Sequence, residues 1–365
     1  MAKKIFVAAT GQNSGKTTTS LSLLHLARQK YERIGFIKPI GPKPTTLDGL
    51  LMDKDACLVA QVFGLERYKE LMSPVVLVQG MTKRVLDGEI SPLLLQEKIM
   101  HAIEVLDREC EFLVIEGAGH SGVGSVLGMS NAKIARLAKA PVLMVAGGGV
   151  GNVIDAVQMN MALFRQEGAE IRAIVANKII PEKREETLHY LNIAFRDSGI
   201  AVLGGFNYQP VLANPTLKRI SDVLQLPIQG NREDEMRIAH HVQIGAAATQ
   251  RVVEMLQEAT LLLVTSSRDE MLVTLANLYQ MPEYRAKIVG LVIPGTAPVA
   301  KITQQILDRS GIPYMRTTRS TTDIFLTITE DVSKLTAEDR EKIELLHVLA
   351  PKRFDFAAVD ALFTN

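Results

Sequence analysis

Short β-branched or leucine-rich runs alternate along the chain with amphipathic segments of helix length, the pattern of parallel βα units rather than of hairpins. Runs at Lys4 to Ala9, Ile34 to Ile40, Phe112 to Ile115, Pro141 to Ala146, Ile171 to Asn177 and Ala201 to Gly204 predict strands, and mixtures such as Leu94 to Arg108 predict the helices between them. These six strands suffice for one doubly wound, mostly parallel α/β sheet. Around Leu226 to Asp234 the pattern breaks into a Pro-, Gly- and charge-rich stretch that reads as a linker. A second series follows: strand Thr260 to Thr265, helix Asp269 to Gln280, strand Ile288 to Ile293, helix Pro298 to Arg309 and strand Pro313 to Arg316. The expected organisation is a first α/β domain over 1–225, a linker over 226–235, a smaller α/β domain over 236–335 and a helical tail over 336–365. In that tail Ala337-Glu338-Asp339 opens a helix that Pro351 closes.

Composition narrows the class. The 365 residues are 47% hydrophobic, enough chain to bury more than one core, and the net charge of +1 gives no footprint for nucleic acid or an anionic membrane. No apolar segment is long enough for a signal peptide or a membrane span, so the expected location is the cytoplasm. Cys57 and Cys110 lack Cys-x-x-Cys spacing and read as small apolar packers. His240 and His241 are adjacent, so they cannot chelate one metal as an i, i+4 pair does.

The chemistry is concentrated at Ala9-Thr10-Gly11-Gln12-Asn13-Ser14-Gly15-Lys16-Thr17, between the first strand and a helix-like run from Ser20 to Ala27. A glycine-containing loop that opens a helix aims several backbone N–H groups at one polyphosphate, and the helix N-terminus adds partial positive charge. Thr10, Gly11, Gln12, Asn13, Ser14 and Gly15, with Lys16, Thr17 and Thr18 of the first helical turn, are the expected ATP ligands of this P-loop. Lys16 would neutralise β/γ-phosphate charge, Thr17 would reach a bridging Mg²⁺, and Gly15 leaves room for the backbone to approach. The loop has Thr10 where the pattern G-x-x-x-x-G-K-[ST] has glycine, and no second lysine precedes Lys16 as in the deviant loops of partitioning ATPases.

Five stretches in order carry a resemblance: the Thr-Gly-x-x-x-Gly-Lys-Thr loop, Gly35-Phe36-Ile37-Lys38-Pro39, Asp53-Lys54-Asp55-Ala56, Ile115-Glu116-Gly117-Ala118-Gly119 and Val175-Ala176-Asn177. Together they resemble dethiobiotin synthetase. The whole chain resembles the N-terminal half of long bacterial phosphate acetyltransferases, with Gly245-Ala246-Ala247, Ser267-Arg268-Asp269-Glu270 and Pro294-Gly295-Thr296 falling where a DRTGG domain has its signatures. The acetyl-transferring domain is expected to be absent, because the sequence stops at Asn365. The resemblance implies that Asp55 and Glu116 join Thr17 in holding Mg²⁺, that Lys38 lies near the γ-phosphate or a substrate carboxylate and acts with Lys16 in catalysis, and that Asn177 meets the adenine edge. Beside these stand ordinary alternatives: a helix-end carboxylate for Asp55, strand-end charges meeting solvent for Glu116 and Lys38, and a turn-forming Asn177.

Departures decide between reactions. The loop after Glu116 carries His120, and the segment after Lys38 is rebuilt as Gly41-Pro42-Lys43-Pro44-Thr45-Thr46. His120-Ser121 lacks the G-x-S-x-G elbow and reads as a solvated loop, while Gly147 to Gly151 lacks the third glycine of a dinucleotide fingerprint, Ile154 taking its place. Two classes follow. One is a nucleotide-responsive regulatory module with slow ATP hydrolysis, which the departures favour; the other is an ATP-dependent ligase that activates a carboxylate or carbamate. A cobyrinate-type amidotransferase shares the loop but requires a cysteine nucleophile, for which neither cysteine is placed. A small anionic metabolite, or a dimer contact, fits the carboxyl edge of the second sheet. The family resemblance implies a homodimer or higher homo-oligomer.

Overall fold

The structure is a computed structural model that describes residues 1–209, 212, 214–330, 335–337 and 339–363. It divides into two compact units, Met1–Tyr208 with Leu335–Asn365, and Gln209–Lys334. The division falls ahead of the linker expected at 226–235.

In the first unit β1 (Lys3–Ala9), α1 (Lys16–Ala27) and β2 (Ile34–Ile37) are followed by a hairpin of β3 (Pro44–Leu47) and β4 (Leu50–Asp53). Next come α2 (Lys54–Phe63), α3 (Pro92–Glu109), β5 (Phe112–Glu116), α4 (Asn131–Leu137), β6 (Val142–Gly147), α5 (Val150–Glu167), β7 (Ile171–Asn177), α6 (Arg184–Phe195) and β8 (Ala201–Gly204). Six strands form one sheet in the order β8-β7-β6-β1-β5-β2, every pair parallel. The central strands are buried on both faces, which is why they read as continuous apolar runs rather than as alternation. The chain passes from β1 to β2, inserts β5 between them, then crosses to β6 on the other side of β1. That reversal opens a crevice at the carboxyl ends of β1 and β5, where open α/β sheets bind ligands. β2 stops at Ile37, short of the expected Ile40, because Lys38 N bonds to Met72 O at 2.8 Å and Pro39 brings no N–H to the ladder.

The second unit contains α7 (Leu217–Leu224), β9 (His241–Ile244), β10 (Thr260–Leu263), α8 (Asp269–Leu278), β11 (Ile288–Ile293), α9 (Lys301–Ser310), β12 (Tyr314–Arg316) and α10 (Thr321–Glu330). Its parallel sheet runs β9-β10-β11-β12. Leu262, Leu291 and Ile293 meet Met271, Leu275 and Leu307 on one face; Leu261, Val289 and Val292 meet Leu217, Ile220 and Ile324 on the other. Leu226 and Ile228 pack on this second cluster, and Gln229 exchanges backbone bonds of 2.8 and 2.9 Å with Tyr314. The supposed linker is therefore structural, its polar composition masking two apolar anchors. Residues 331–334 lie outside the described residues.

The C-terminal helices α11 (Arg340–Arg353) and α12 (Phe356–Leu362) belong to the first unit. Pro351 does not close α11, which runs on to Arg353, since a proline there removes one N–H donor and Phe354 N still bonds to Ala350 O at 2.9 Å. Glu338 and residues 364–365 lie outside the described residues. His347 of α11 stacks on His25 of α1, ring centroids 4.0 Å apart and planes 12° off parallel. Asp360 of α12 accepts from Lys3 at 2.7 Å, Lys30 at 2.6 Å and Tyr31 at 2.7 Å. The tail is thus pinned to both β1 and the end of α1.

Candidate nucleotide-phosphate site

The loop between β1 and α1 must turn sharply enough to present the start of a helix to the crevice. Asn13 and Gly15 make that turn with positive φ, 57° and 98°. Gly15 is required twice over: its φ disfavours other residues, and a Cβ would collide with the Asn177 amide. No side chain caps α1 and no acidic residue lies in its first turn, so its leading N–H groups and the positive end of its dipole remain suited to an anion. Thr18 and Thr19 instead donate to Gly15 O, at 2.8 and 2.9 Å. Lys16 Nζ reaches Gly11 O at 3.2 Å and Gly119 O at 2.8 Å, and Ser14 Oγ donates to Gly11 O at 3.2 Å, so the loop curls over the amine. Gln12 and Asn13 are exposed at its tip.

Two asparagines far away in sequence hold the loop. Asn177, at the end of β7, donates to Ser14 O at 2.9 Å and accepts from Phe206 N at 3.0 Å. Asn160 of α5 donates to Thr10 O at 3.2 Å and accepts from Ser121 N at 3.0 Å, which ties the phosphate loop to the loop after β5. Asn131 fixes that second loop through Ala118 N, Ala118 O and His120 O at 3.1, 2.5 and 2.6 Å. His120 is exposed and its Nδ1 accepts from Gly122 N at 3.2 Å, so it does not serve Ser121 as a base.

A second cluster lies where β5, β2 and the β3–β4 hairpin end. Glu116 is fully buried, Oε1 receiving Lys38 Nζ at 3.0 Å and Thr17 Oγ1 at 3.2 Å, Oε2 receiving Ser20 Oγ at 2.7 Å. Lys38 also binds Asp55 directly and stands 3.5 Å from Asp53 Oδ1. Asp53 caps α2, accepting from Asp55 N at 2.9 Å, and receives Lys43 N at 3.0 Å. Neither Lys38 nor Glu116 is a solvated strand-end charge, since both sit within the protein at 3% and 0% exposure. Burial alone would pull the Lys38 ammonium's pKa down, but Glu116, Asp55 and Asp53 outweigh it and hold the pKa above its ordinary value.

The structure therefore brings together Lys16 and Gly11 to Gly15 in one group, and Thr17, Lys38, Asp55 and Glu116 in another joined to it through α1. Asn177 lies at the loop, engaged by protein on both sides of its amide. Among the described residues no three His, Cys, Asp or Glu side chains are grouped to hold a metal unaided. Hard oxygens from Thr17, Asp55 and Glu116 fit a cation that keeps water or phosphate in its other positions, the habit of Mg²⁺. Sequence reasoning missed four residues. Ser20 sits one turn beyond Thr17 on the same helical face, a spacing that was readable, and Asp53 lay inside a quoted motif. Asn131 and Asn160 gave no local signal.

Residues 3–216 match the model of a family described as an AAA domain. The phosphate acetyltransferase of Nitratidesulfovibrio vulgaris is 21% identical over 376 aligned residues, covering 100% of this chain and 52% of that protein. The cobyric acid synthase of Pelotomaculum thermopropionicum is 32% identical, with 59% of this chain and 45% of the relative covered. An ATP-dependent dethiobiotin synthetase of Clostridium kluyveri is 26% identical over 64% of this chain and 92% of its own. The chain spans about half the length of the phosphate acetyltransferases it matches end to end. Similarity to both the synthetase and the acetyltransferase agrees with the composition expected from the five motifs, and the first unit is a P-loop nucleotide-binding domain.

Proposed function

The chain belongs to the AAA domain family, and from that premise we propose that it binds ATP with Mg²⁺ and works as a nucleotide-responsive regulatory module with slow ATP hydrolysis. The observation that carries this reading is the contrast between the phosphate loop and its surroundings. The first turn of α1 keeps its N–H groups uncapped by side chains, whereas the rebuilt segment after Lys38 folds as a closed hairpin, Thr45 opposite Met52 and Pro44 opposite Asp53. In this reading Lys16 and the Gly11 to Gly15 backbone hold the polyphosphate, while Thr17, Asp55 and Glu116 hold the cation, which neutralises phosphate charge when bound. Lys38 keeps the two carboxylates in place and supplies positive charge beside them.

One observation favours the ligase alternative: Lys38 is held beside Glu116 and Asp55, near where charge develops in phosphoryl transfer. Phosphate release from Mg-ATP by the whole chain, with and without bicarbonate and a panel of amino and carboxylic metabolites, separates the two. Turnover that stays slow with every metabolite and vanishes in Lys16→Ala supports regulation. A tenfold rise with one metabolite, about 1.4 kcal/mol of barrier, overturns it in favour of the ligase. Among the described residues no helix is long and apolar enough to cross a membrane. By its resemblance to the synthetase we further propose a homo-oligomer that associates through the first unit. A strict monomer in concentrated sedimentation runs would end the last point.

A further inference from the structure

Lys38 stands where β2 ends, and its backbone is fixed there: its N–H bonds to Met72 O at 2.8 Å and Pro39 follows. The side chain is the part left free to move, a compact ammonium with three donors on a flexible four-carbon stem. At 3% exposure that ammonium lies among the oxygens suited to a divalent cation. It contacts Asp55 directly, meets Glu116 Oε1 at 3.0 Å and stands 3.5 Å from Asp53 Oδ1. Thr17 Oγ1 donates to the same Glu116 oxygen at 3.2 Å, and Ser20 Oγ holds the other at 2.7 Å.

The ammonium thus touches both carboxylates that fit Mg²⁺ and shares one of their oxygens with the hydroxyl that completes the set. Mg²⁺ draws its oxygens to about 2.1 Å, and a second positive charge on those same oxygens is repelled at such separations. Cation and ammonium therefore exclude each other. Lys4 shows what a purely structural buried lysine looks like in this chain: at 6% exposure it pairs with one carboxylate, Asp107, at 2.9 Å. Lys38 instead gathers three carboxylates around one charge, as a metal ion would.

We infer that Lys38 is a tethered stand-in for the divalent cation, its ammonium filling the cation's place until it withdraws, so that cation loading waits on a ligand whose negative charge takes the ammonium up. A polyphosphate has that charge, and a bare metal ion does not. The inference rests on the nucleotide reading for the roles of Thr17, Asp55 and Glu116, and adds how that site is regulated. Affinity for the cation alone is then lowered by the fraction of molecules in which the ammonium has withdrawn.

The test is Mn²⁺ binding to the whole chain without nucleotide, followed by the paramagnetic resonance signal of free Mn²⁺. Lys38→Met alone strands buried carboxylates and endangers folding, so it is combined with Asp53→Asn. The pair removes one positive and one negative charge together, and asparagine still suits the cap of α2. Because the summed charge is unchanged, a gain in affinity reports the vacated place rather than a more negative cluster. The double variant is expected to bind Mn²⁺ at least about tenfold more tightly than the natural chain, and further change of Glu116→Gln to remove the gain. Equal affinity in the natural chain and the double variant, or a gain that survives Glu116→Gln, overturns the inference. Lysine acetylation read by mass spectrometry asks the same of the natural chain. Lys38 and Lys4 are both expected to resist labelling, and Mn²⁺ to expose Lys38 alone; a Lys38 that stays protected while Mn²⁺ occupies the chain overturns the withdrawal. Calorimetric binding of Mn-ADP to the natural chain reports the nucleotide reading separately, so either can fail alone.

Discussion

The carboxyl edges of the two parallel sheets handle charge in opposite ways. In the first unit Glu116, Asp55, Asp53 and Lys38 satisfy one another below the surface, with Thr17 and Ser20 completing the set. In the second unit Arg316 is solvated by three backbone carbonyls and Ser266 makes no side-chain bond. A buried ion network is costly to break because removing one partner strands the others, whereas a group without side-chain partners is cheap to remove. The first edge thus combines structural and chemical demands on the same side chains.

The sharpest way to break this contrast is Lys38→Met, which leaves three buried carboxylates facing one another. It is expected to cost about 3–5 kcal/mol in denaturant unfolding of the first unit. A loss under about 1 kcal/mol would mean that the network is not mutually dependent. Next in size is Gly15→Ala, which forces a side chain into the left-handed region and against Asn177. A strain of about 1–3 kcal/mol is expected, read chiefly as weakened nucleotide binding with an intact far-ultraviolet spectrum. Unchanged affinity would show that the loop conformation seen here is not the binding one.

Away from both edges, acidification probes the tail. Burial lowers the pKa of both stacked histidines, with Arg28 adding to the effect at His25, and with His25 adding to and Glu344 opposing it at His347. Below the ordinary value of 6.5 the unfolded chain therefore binds protons that the folded chain resists. Stability is fully present above that value and falls as pH drops through it. The unfolding temperature should decline between about pH 7 and 5.5, and His347→Gln should flatten the decline. A profile identical in the variant would assign the pH dependence elsewhere. Smallest of all, Ser266→Ala should change stability by less than about 0.5 kcal/mol, measured by the same unfolding curves; a larger loss would reveal an internal role for that hydroxyl.

How much of this was readable in the sequence depended on the range of the interaction. The strands of the first sheet and the Gly-Lys-Thr loop declared themselves, because apolar runs and loop chemistry are local. Asp55 and Glu116 were found by motif, yet their burial and their joint hold on Lys38 were not, since only the sheet order sets β2 beside β5 and so Lys38 beside Glu116. β9 was missed because His241 to Ile244 is a half-exposed edge strand with weak alternation. Leu226 and Ile228 were hidden by the polar residues around them. Asn131 acts on backbone 13 residues away and Asn160 on backbone 150 residues away, contacts that leave no periodic trace.

Isothermal titration of Mg-ATP into the whole chain, beside Lys16→Ala checked for an unchanged unfolding temperature, tests the central claim most directly. Saturable binding by the natural chain, weakened at least about tenfold in the variant, is the predicted result. Absence of saturable binding, or equal affinity in the two proteins, would contradict the assignment of this loop as the nucleotide site.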